Sequence, residues 1–184
     1  MNVICTKRLR LRSLRAGDAE PIFGLFNNWN VVQWLSSPPW PYTLEHARSW
    51  AAQNDETNIG DAVFHYVIKL GDALIGVIGW RMQMAAPSRE AGPHIGYWLG
   101  EPYWGKGFMT EALGGVVDHL FASRPGSTIY SGVFAGNIAS LRVQEKIGFV
   151  REGEKLMHSR PRGAELAHID TILTRSRYQT LSNS

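Results

Sequence analysis

Polar and apolar residues alternate from Arg8 to Arg12, the period-two signature of a strand with one buried face. The period then changes. Asp18 is placed to cap a helix running to about Asn27, with Pro21 in its first turn and Ile22, Phe23 and Phe26 along one side. Ser36-Ser-Pro-Pro-Trp-Pro41 admits no regular ladder, and Thr43 then caps a second helix through roughly Gln53. Phe64 to Leu70 and Leu74 to Met84 carry β-branched and aromatic residues on either side of Gly71-Asp72, which predicts a hairpin. Ala85 to Gly92 reads as a loop, His94 to Leu99 as a strand, and Thr110 to about Ala122 as a helix. Thr128 to Val133 predicts another strand. A helix from about Ala139 to Ile147 is stopped by Gly148, and strands over Val150 to His158 and Leu166 to Thr174 close the pattern.

Strands and helices alternate between His94 and Phe149, so a local parallel pairing is expected there, whereas the hairpin and the last two strands call for antiparallel neighbours. The sum is a mixed α/β (α+β) sheet. With 184 residues, 44% of them hydrophobic, and no repeat or linker, the chain is expected to be one domain over residues 1–184. A net charge of +3 is too small to imply a nucleic-acid partner, and Arg8, Arg10, Arg12 and Arg15 read as the polar face of a strand. The single Cys5 rules out an internal disulfide framework and fits a reducing compartment. No apolar run reaches membrane-spanning length and no signal peptide is evident, so a soluble cytoplasmic protein is expected.

The stretch from His94 to Ala112 concentrates the chemistry. A short apolar strand leads through Gly100-Glu-Pro-Tyr-Trp-Gly-Lys-Gly107 into a helix. That order points unpaired helix N–H groups and the positive end of the dipole at the loop, which holds phosphate through the main chain. Gly100 to Gly107 nearly spells a nucleotide phosphate loop, but Gly107 stands where a magnesium-binding hydroxyl is required and Thr110 lies too far along to replace it. Nucleotide hydrolysis and phosphoryl transfer are therefore disfavoured.

A longer span carries a second reading. Tyr103-Trp-Gly-Lys-Gly-Phe-Met-Thr-Glu-Ala112, followed by Asn137-Ile-Ala-Ser-Leu-Arg-Val-Gln-Glu-Lys-Ile-Gly-Phe149, resembles the acyl-coenzyme A motifs of the GNAT superfamily of N-acetyltransferases. Thr6-Lys-Arg-Leu-Arg-Leu-Arg12 and Ile95-Gly-Tyr-Trp98 add similarity to the branch containing the ribosomal-protein alanine and serine N-acetyltransferases. The resemblance covers nearly the whole chain. It implies a GNAT-like fold: a central, mostly antiparallel mixed sheet, a parallel pair splayed at the coenzyme A site, and helices on both faces. In the family's loop pattern Trp104 stands at the first position, Gly107 at the central glycine and Met109 at the last. Met109 is a departure, its side chain either crowding the pyrophosphate or turning into the core.

By the same resemblance the cosubstrate is acetyl-CoA. Trp98 and Leu99 offer backbone groups to its pantetheine arm, and Trp104 with the loop Gly105, Lys106, Gly107, Phe108, Met109 and Thr110 holds its pyrophosphate. Asn137 either contacts the pantetheine or only caps its helix. Ser140 matches a serine near the thiol sulfur and is the candidate general acid, or else helps cap its own helix. Other members use a tyrosine later on that helix, where Val143 and Gln144 are unsuited. His94, where relatives frequently carry a glutamate, is the candidate base, since an imidazole titrating near neutrality can accept the ammonium proton through a water; otherwise it is a solvated residue at the strand entry. The acid that the ribosomal-protein enzymes carry past the pair matching Glu152-Gly153 falls here on Ser159, with His158 beside it. Scattered histidines and one cysteine imply no metal, and Cys5 is remote from the loop in sequence.

The early helices carry Trp29, Trp34, Trp40, Tyr42 and Trp50 against few acids (Glu45, Asp55 and Glu56), with Trp34 and Trp50 expected to close the core. The acceptor is therefore expected to be a peptide N-terminal amine or a small amphipathic amine rather than a polycation. Gly60-Asp61 and Arg160-Pro-Arg-Gly163 are expected to border the cleft, and a strand edge or the aromatic segment could support a homodimer. The expected activity is acetyl transfer from acetyl-CoA to a primary amine by direct attack, the alternative being a catalytically silent coenzyme A sensor or scaffold.

Overall fold

The computed structural model describes residues 3–55, 63–85 and 89–182. Its strands are β1 (Ile4–Cys5), β2 (Arg10–Ser13), β3 (Val63–Leu70), β4 (Ala73–Gln83), β5 (Gly92–Leu99), β6 (Ile129–Phe134), β7 (Val150–Ser159) and β8 (Ala164–Leu173). Its helices are α1 (Ala19–Phe26), α2 (Trp29–Val32), α3 (Leu44–Gln53), α4 (Phe108–Ser123), α5 (Ile138–Ile147) and α6 (Arg175–Ser182). The strands form one sheet in the order β1-β2-β3-β4-β5-β6-β8-β7. β1 to β5 pair antiparallel in sequence order, and β6, β8 and β7 form a second antiparallel block. The blocks meet at β5 and β6, which run parallel and share a single register pair, His94 with Tyr130.

A parallel connection needs a crossover, and α4 supplies it. Its apolar residues Phe108, Met109, Ala112, Leu113, Val116, Val117 and Leu120 recur at helical spacing and are buried. They pack on one sheet face with Ile95 and Leu99 of β5, while Ile22, Phe26, Ala47 and Ala51 of α1 and α3 pack on the other with Val67, Val77 and Trp98. Successive β5 residues thus serve opposite faces: Ile95, Tyr97 and Leu99 look toward α4 and α5, His94, Gly96 and Trp98 toward α1 and α3. This is the mixed sheet with helices on both faces expected from the sequence.

Several boundaries differ. The first half-buried strand is Arg10–Ser13, and α4 starts at Phe108 rather than Thr110. Asp18 does not cap α1 with its side chain, because its carboxylate accepts from Arg12 at 2.8 and 2.6 Å and from the Arg15 N–H at 2.9 Å. A buried carboxylate gains more from a bidentate guanidinium than from a helix N–H. Arg8 and Arg12 are therefore ion-pair partners, of Glu111 and Asp18, more than a solvated strand face. α2 and α6 have no counterpart in the periodicity.

Candidate functional site

The β5–β6 split is the centre of the site. Beyond His94 and Tyr130 the backbones part, and on the α5 face side chains hold the seam together. Ser131 Oγ donates to the Ile95 carbonyl at 3.0 Å, Gln144 Nε2 donates to Ser131 Oγ at 3.0 Å, and Thr171 Oγ1 donates to Gln144 Oε1 at 2.6 Å. Ser131, Gln144 and Thr171 are all buried. A satisfied buried chain of this kind fixes geometry. Gln144, dismissed as an acid from sequence, is thus a staple of the split.

The strand β5 ends in a glycine loop. The Gly100 N–H donates to the Ile75 carbonyl at 2.9 Å, a short 3-10 turn covers Glu101–Tyr103, and the Trp104 indole donates back to the Leu99 carbonyl at 2.7 Å. Lys106 Nζ donates to the Pro102 carbonyl at 2.9 Å, and Arg8 Nη1 to the Lys106 carbonyl at 3.1 Å. Gly105 and Gly107 have φ of 72° and 76°, the left-handed region that L side chains resist. Gly107 is the N-cap of α4 and no side chain caps the helix, so its first N–H groups face the loop. Trp104, Gly105, Lys106 and Gly107 are exposed there, while Phe108 and Met109 are 8% and 7% exposed and belong to the core. Met109 therefore turns inward and does not crowd the loop.

On the α5 face, Asn137 is the N-cap of α5, its Oδ1 accepting from the Ser140 N–H at 3.2 Å, so any ligand contact falls to its Nδ2 group. Ser140 Oγ lies 2.9 Å from the Tyr97 hydroxyl, which also donates to the Ser140 carbonyl at 3.2 Å. Burial pushes the Tyr97 phenol up to about 12, so it stays a protonated donor. Tyr97 was not singled out from the sequence. The alternation of β5 carries the signal, since it places Tyr97 beside Ile95 on the α5 face.

The opposite face of the split carries His94, Gly96, Gly132, His168 and Asp170. Gly96 is exposed and a β-carbon there would meet nothing within 4 Å. Burial, followed by the Arg81 charge, pulls His94 down to about 4, so it is neutral at pH 7 but does not titrate near neutrality as expected. Asp170 is flanked by Lys155 Nζ at 2.7 Å and Arg89 at 3.7 Å, and Arg89 also pairs with Glu152 and lies over the Tyr130 ring. Ser159 is fully buried with no hydrogen-bond partner for Oγ among the described residues, and His158 pairs with Glu165 at 3.1 Å on the edge strand.

The aromatic segment closes one side. Trp34 is half-buried with Arg162 4.6 Å above its ring and Gly136 beside it, and stands outside the core it was expected to close; Trp50 packs against the core as expected. The Arg160 N–H donates to the Ser36 carbonyl at 2.9 Å, bringing the β7–β8 turn against this wall. Trp29 and Trp40 are exposed and 5.2 Å apart. Asn28 and Asn30 donate to Glu101 at 2.6 and 3.0 Å, tying the wall to the glycine loop. Glu56 and Gly60-Asp61 lie outside the described residues.

A sheet split beside a glycine loop and an uncapped helix N-terminus offers main-chain donors to an extended, anionic ligand. A family model described as an acetyltransferase (GNAT) domain matches residues 8–150, and the chain belongs to that family, as an acyltransferase. It is 32% identical over 159 residues to the Bacillus subtilis (strain 168) protein named "Uncharacterized N-acetyltransferase YoaA", covering 82% of this chain and 84% of the relative. The ribosomal-protein-S5-alanine acetyltransferase from Vibrio fischeri shares the fold with TM-score 0.79 and 23% identity, over 97% of this chain and 99% of that one. Mycobacterium smegmatis RimJ in complex with CoA-disulfide shares it with TM-score 0.78 and 21% identity, over 95% and 88%.

Proposed function

We propose that residues 1–184 act as one unit transferring acetyl from acetyl-CoA to a primary amine by direct attack, the amine being a peptide N-terminus or a small amphipathic amine. The observation that carries this is the β5–β6 split, opening beside the uncapped N-terminus of α4. In this reading the N–H groups from Gly105 to Thr110 receive the pyrophosphate, with Trp104 and Lys106 on the exposed side of the loop. Trp98 and Leu99 offer backbone groups at the split to the pantetheine amides, the Leu99 carbonyl while also accepting from the Trp104 indole, and Asn137 adds a side-chain contact. These main-chain donors fit a diphosphate, since helix N-termini favour anions. The RimJ structure, similar in fold alone, holds coenzyme A as its disulfide, which supports a coenzyme A thioester as the cosubstrate class.

The thiolate leaves on the α5 face, where Ser140 supplies its proton and Tyr97 orients the serine hydroxyl. The amine enters on the opposite face. His94, neutral there, accepts a hydrogen bond from the amine, though an imidazole pulled to about 4 holds a proton weakly. Beside the exposed aromatic pair Trp29 and Trp40, the paired acids form no ring of free carboxylates for a polycation among the described residues, which favours a singly charged amine. A reducing, cytoplasmic setting belongs to the same proposal, with Cys5 the lone thiol.

A thermal-shift and calorimetric screen with acetyl-CoA, CoA, ATP plus magnesium, and GTP tests the site, followed by thiol release against a panel of free peptide N-termini and small amines. Stabilisation by the coenzyme and not by nucleotides, with thiol release on the panel, is the expected result. No affinity for coenzyme A overturns the reading, and binding without release from any amine leaves a coenzyme A sensor in its place.

A further inference from the structure

His168 and Asp170 stand two residues apart on β8, which puts both side chains on the amine-facing side of the sheet. They are 6% and 9% exposed, and His168 Nδ1 lies 3.0 Å from Asp170 Oδ1. Neither atom has a hydrogen-bond partner among the described residues, because the two are close without being aligned. Register places Asp170 opposite Gly132 and His168 opposite Phe134 on β6. The imidazole lies over Gly132: a β-carbon at that glycine would collide with His168 Cε1 and come within 3.0 Å of Nε2. Gly132 follows Ser131, whose hydroxyl spans the split to Ile95. The ring therefore turns Nδ1 to a carboxylate and its Cε1–Nε2 edge over β6 at the mouth of the split, on the face opposite Ser140.

Building on the acetyl-transfer reading above, we infer that His168 is the proton acceptor for the incoming ammonium, with Asp170 as its positioning residue. His168 Nε2 takes one proton from R–NH3+, giving the free amine and an imidazolium beside the Asp170 carboxylate. The amine lone pair forms the C–N bond at the thioester carbonyl, and collapse of the tetrahedral intermediate breaks C–S. The leaving thiolate takes the Ser140 proton, the second amine proton passes through solvent to the Ser140 oxygen and restores its hydroxyl, and the imidazolium returns its proton to solvent.

The carboxylate fixes the tautomer, since an Nδ1–H aimed at Asp170 leaves Nε2 as an acceptor. Loose alignment before ligands arrive is common for such pairs and tightens on binding. The titratable and charged groups facing His168 are Asp170 on its own strand, Lys155 on β7, and, further out, Arg89 and the neutral His94 of β5; Arg89 and Lys155 are themselves paired with Asp170. Burial lowers the His168 pKa, and Asp170 opposes that shift. Such a base suits an α-amine, near pKa 8, better than a lysine amine above 10. The inference thus narrows the acceptor to an amine of low basicity, such as a peptide N-terminus.

The test uses the full chain, acetyl-CoA, and peptides with a free N-terminal serine or alanine beside Nα-blocked, lysine-bearing controls. His168→Gln is expected to lose about 100-fold or more in kcat/KM at pH 7. The deficit should shrink above the amine pKa, coenzyme A affinity should be kept, and added imidazole should restore part of the rate to His168→Ala. His94→Gln removes the imidazole acceptor for the amine and should raise its KM, while the pH limb stays that of the parent because His94 is neutral across that range. Asp170→Asn serves where the His168 variants do not fold, and should shift the acidic limb of the pH profile. Nitrogen NMR of the coenzyme A complex should show His168 protonated at Nδ1 and bare at Nε2. A His168 variant that folds and retains the parent rate and pH limb, or an Nε2–H tautomer in the complex, overturns this inference while leaving acetyl transfer standing. A parent protein inactive on every amine overturns the transfer reading and this inference with it.

Discussion

The Tyr97 hydroxyl meets Ser140 Oγ at 2.9 Å, joining β5 to the first turn of α5 across the split. If that pair delivers the proton to the leaving sulfur, Ser140→Ala should lower kcat about 10- to 100-fold with coenzyme A affinity almost unchanged, since the contact matters only as charge develops on sulfur. Tyr97→Phe should cost less, because Ser140 remains. Steady-state thiol release paired with calorimetry checks both, and undiminished turnover in Ser140→Ala would remove the serine from this role.

Gly107 holds φ 76° at the N-cap of α4, and a β-carbon there would meet only Arg8 Nη2, at an ordinary 3.5 Å. The penalty of Gly107→Ala is therefore conformational, about 1–2 kcal/mol. Relaxing that strain re-aims the N–H groups, so coenzyme A affinity should fall about tenfold. Gly126→Ala, where nothing lies within 4 Å, is the matched control and should change neither affinity nor melting temperature. Affinity equal in both variants would place the pyrophosphate elsewhere.

Gln144→Leu should destabilise the protein by about 1–3 kcal/mol, because it takes the acceptor from the buried Thr171 hydroxyl and the donor from Ser131 Oγ, which keeps only its bond to Ile95. Urea unfolding measures this. A loss under about 1 kcal/mol would mean that the seam is held by backbone and packing alone.

Burial pulls both His65 and His94 from 6.5 to about 4. Their folded pKa values lie below the unfolded ones, so protons bind preferentially to the unfolded chain between those limits. The associated stability is full above pH 6.5 and is lost as pH falls toward 4, by up to about 3 kcal/mol for each histidine. His65→Leu should flatten part of that slope. Urea midpoints measured from pH 7.5 to 4 would refute the assignment if parent and variant fell in parallel.

Local pattern was enough for what local chemistry decides. The Gly71-Asp72 hairpin, the Thr43 cap, which accepts from the His46 N–H at 3.2 Å, and the Gly148 stop of α5 all follow from residues within a turn of one another. The glycine loop was equally legible, since Gly105 and Gly107 announce their left-handed backbone. Asp18 misled because its partner, Arg12, is supplied by the fold around it. α2 is too short, at 4 residues, to show a period. Tyr97, Gln144, His168 and Asp170 stayed hidden for a different reason. Each is an ordinary strand or helix residue until register places β6 between β5 and β8, and register is set by long-range pairing. The spacing of His168 and Asp170 does place them on one face, but which face meets the split is decided by the β6–β8 ladder.

Among the described residues, one backbone pair, His94 with Tyr130, joins the two antiparallel blocks by main-chain register. On the proposed reading, recognition of the coenzyme resides largely in the skeleton: peptide groups withheld from pairing, and a helix end left open. Such a site tolerates heavy exchange of side chains, provided the gap persists. Descendants are thereby free to rebuild the walls around Trp34 and Arg162 for new acceptors while inheriting the donor half intact.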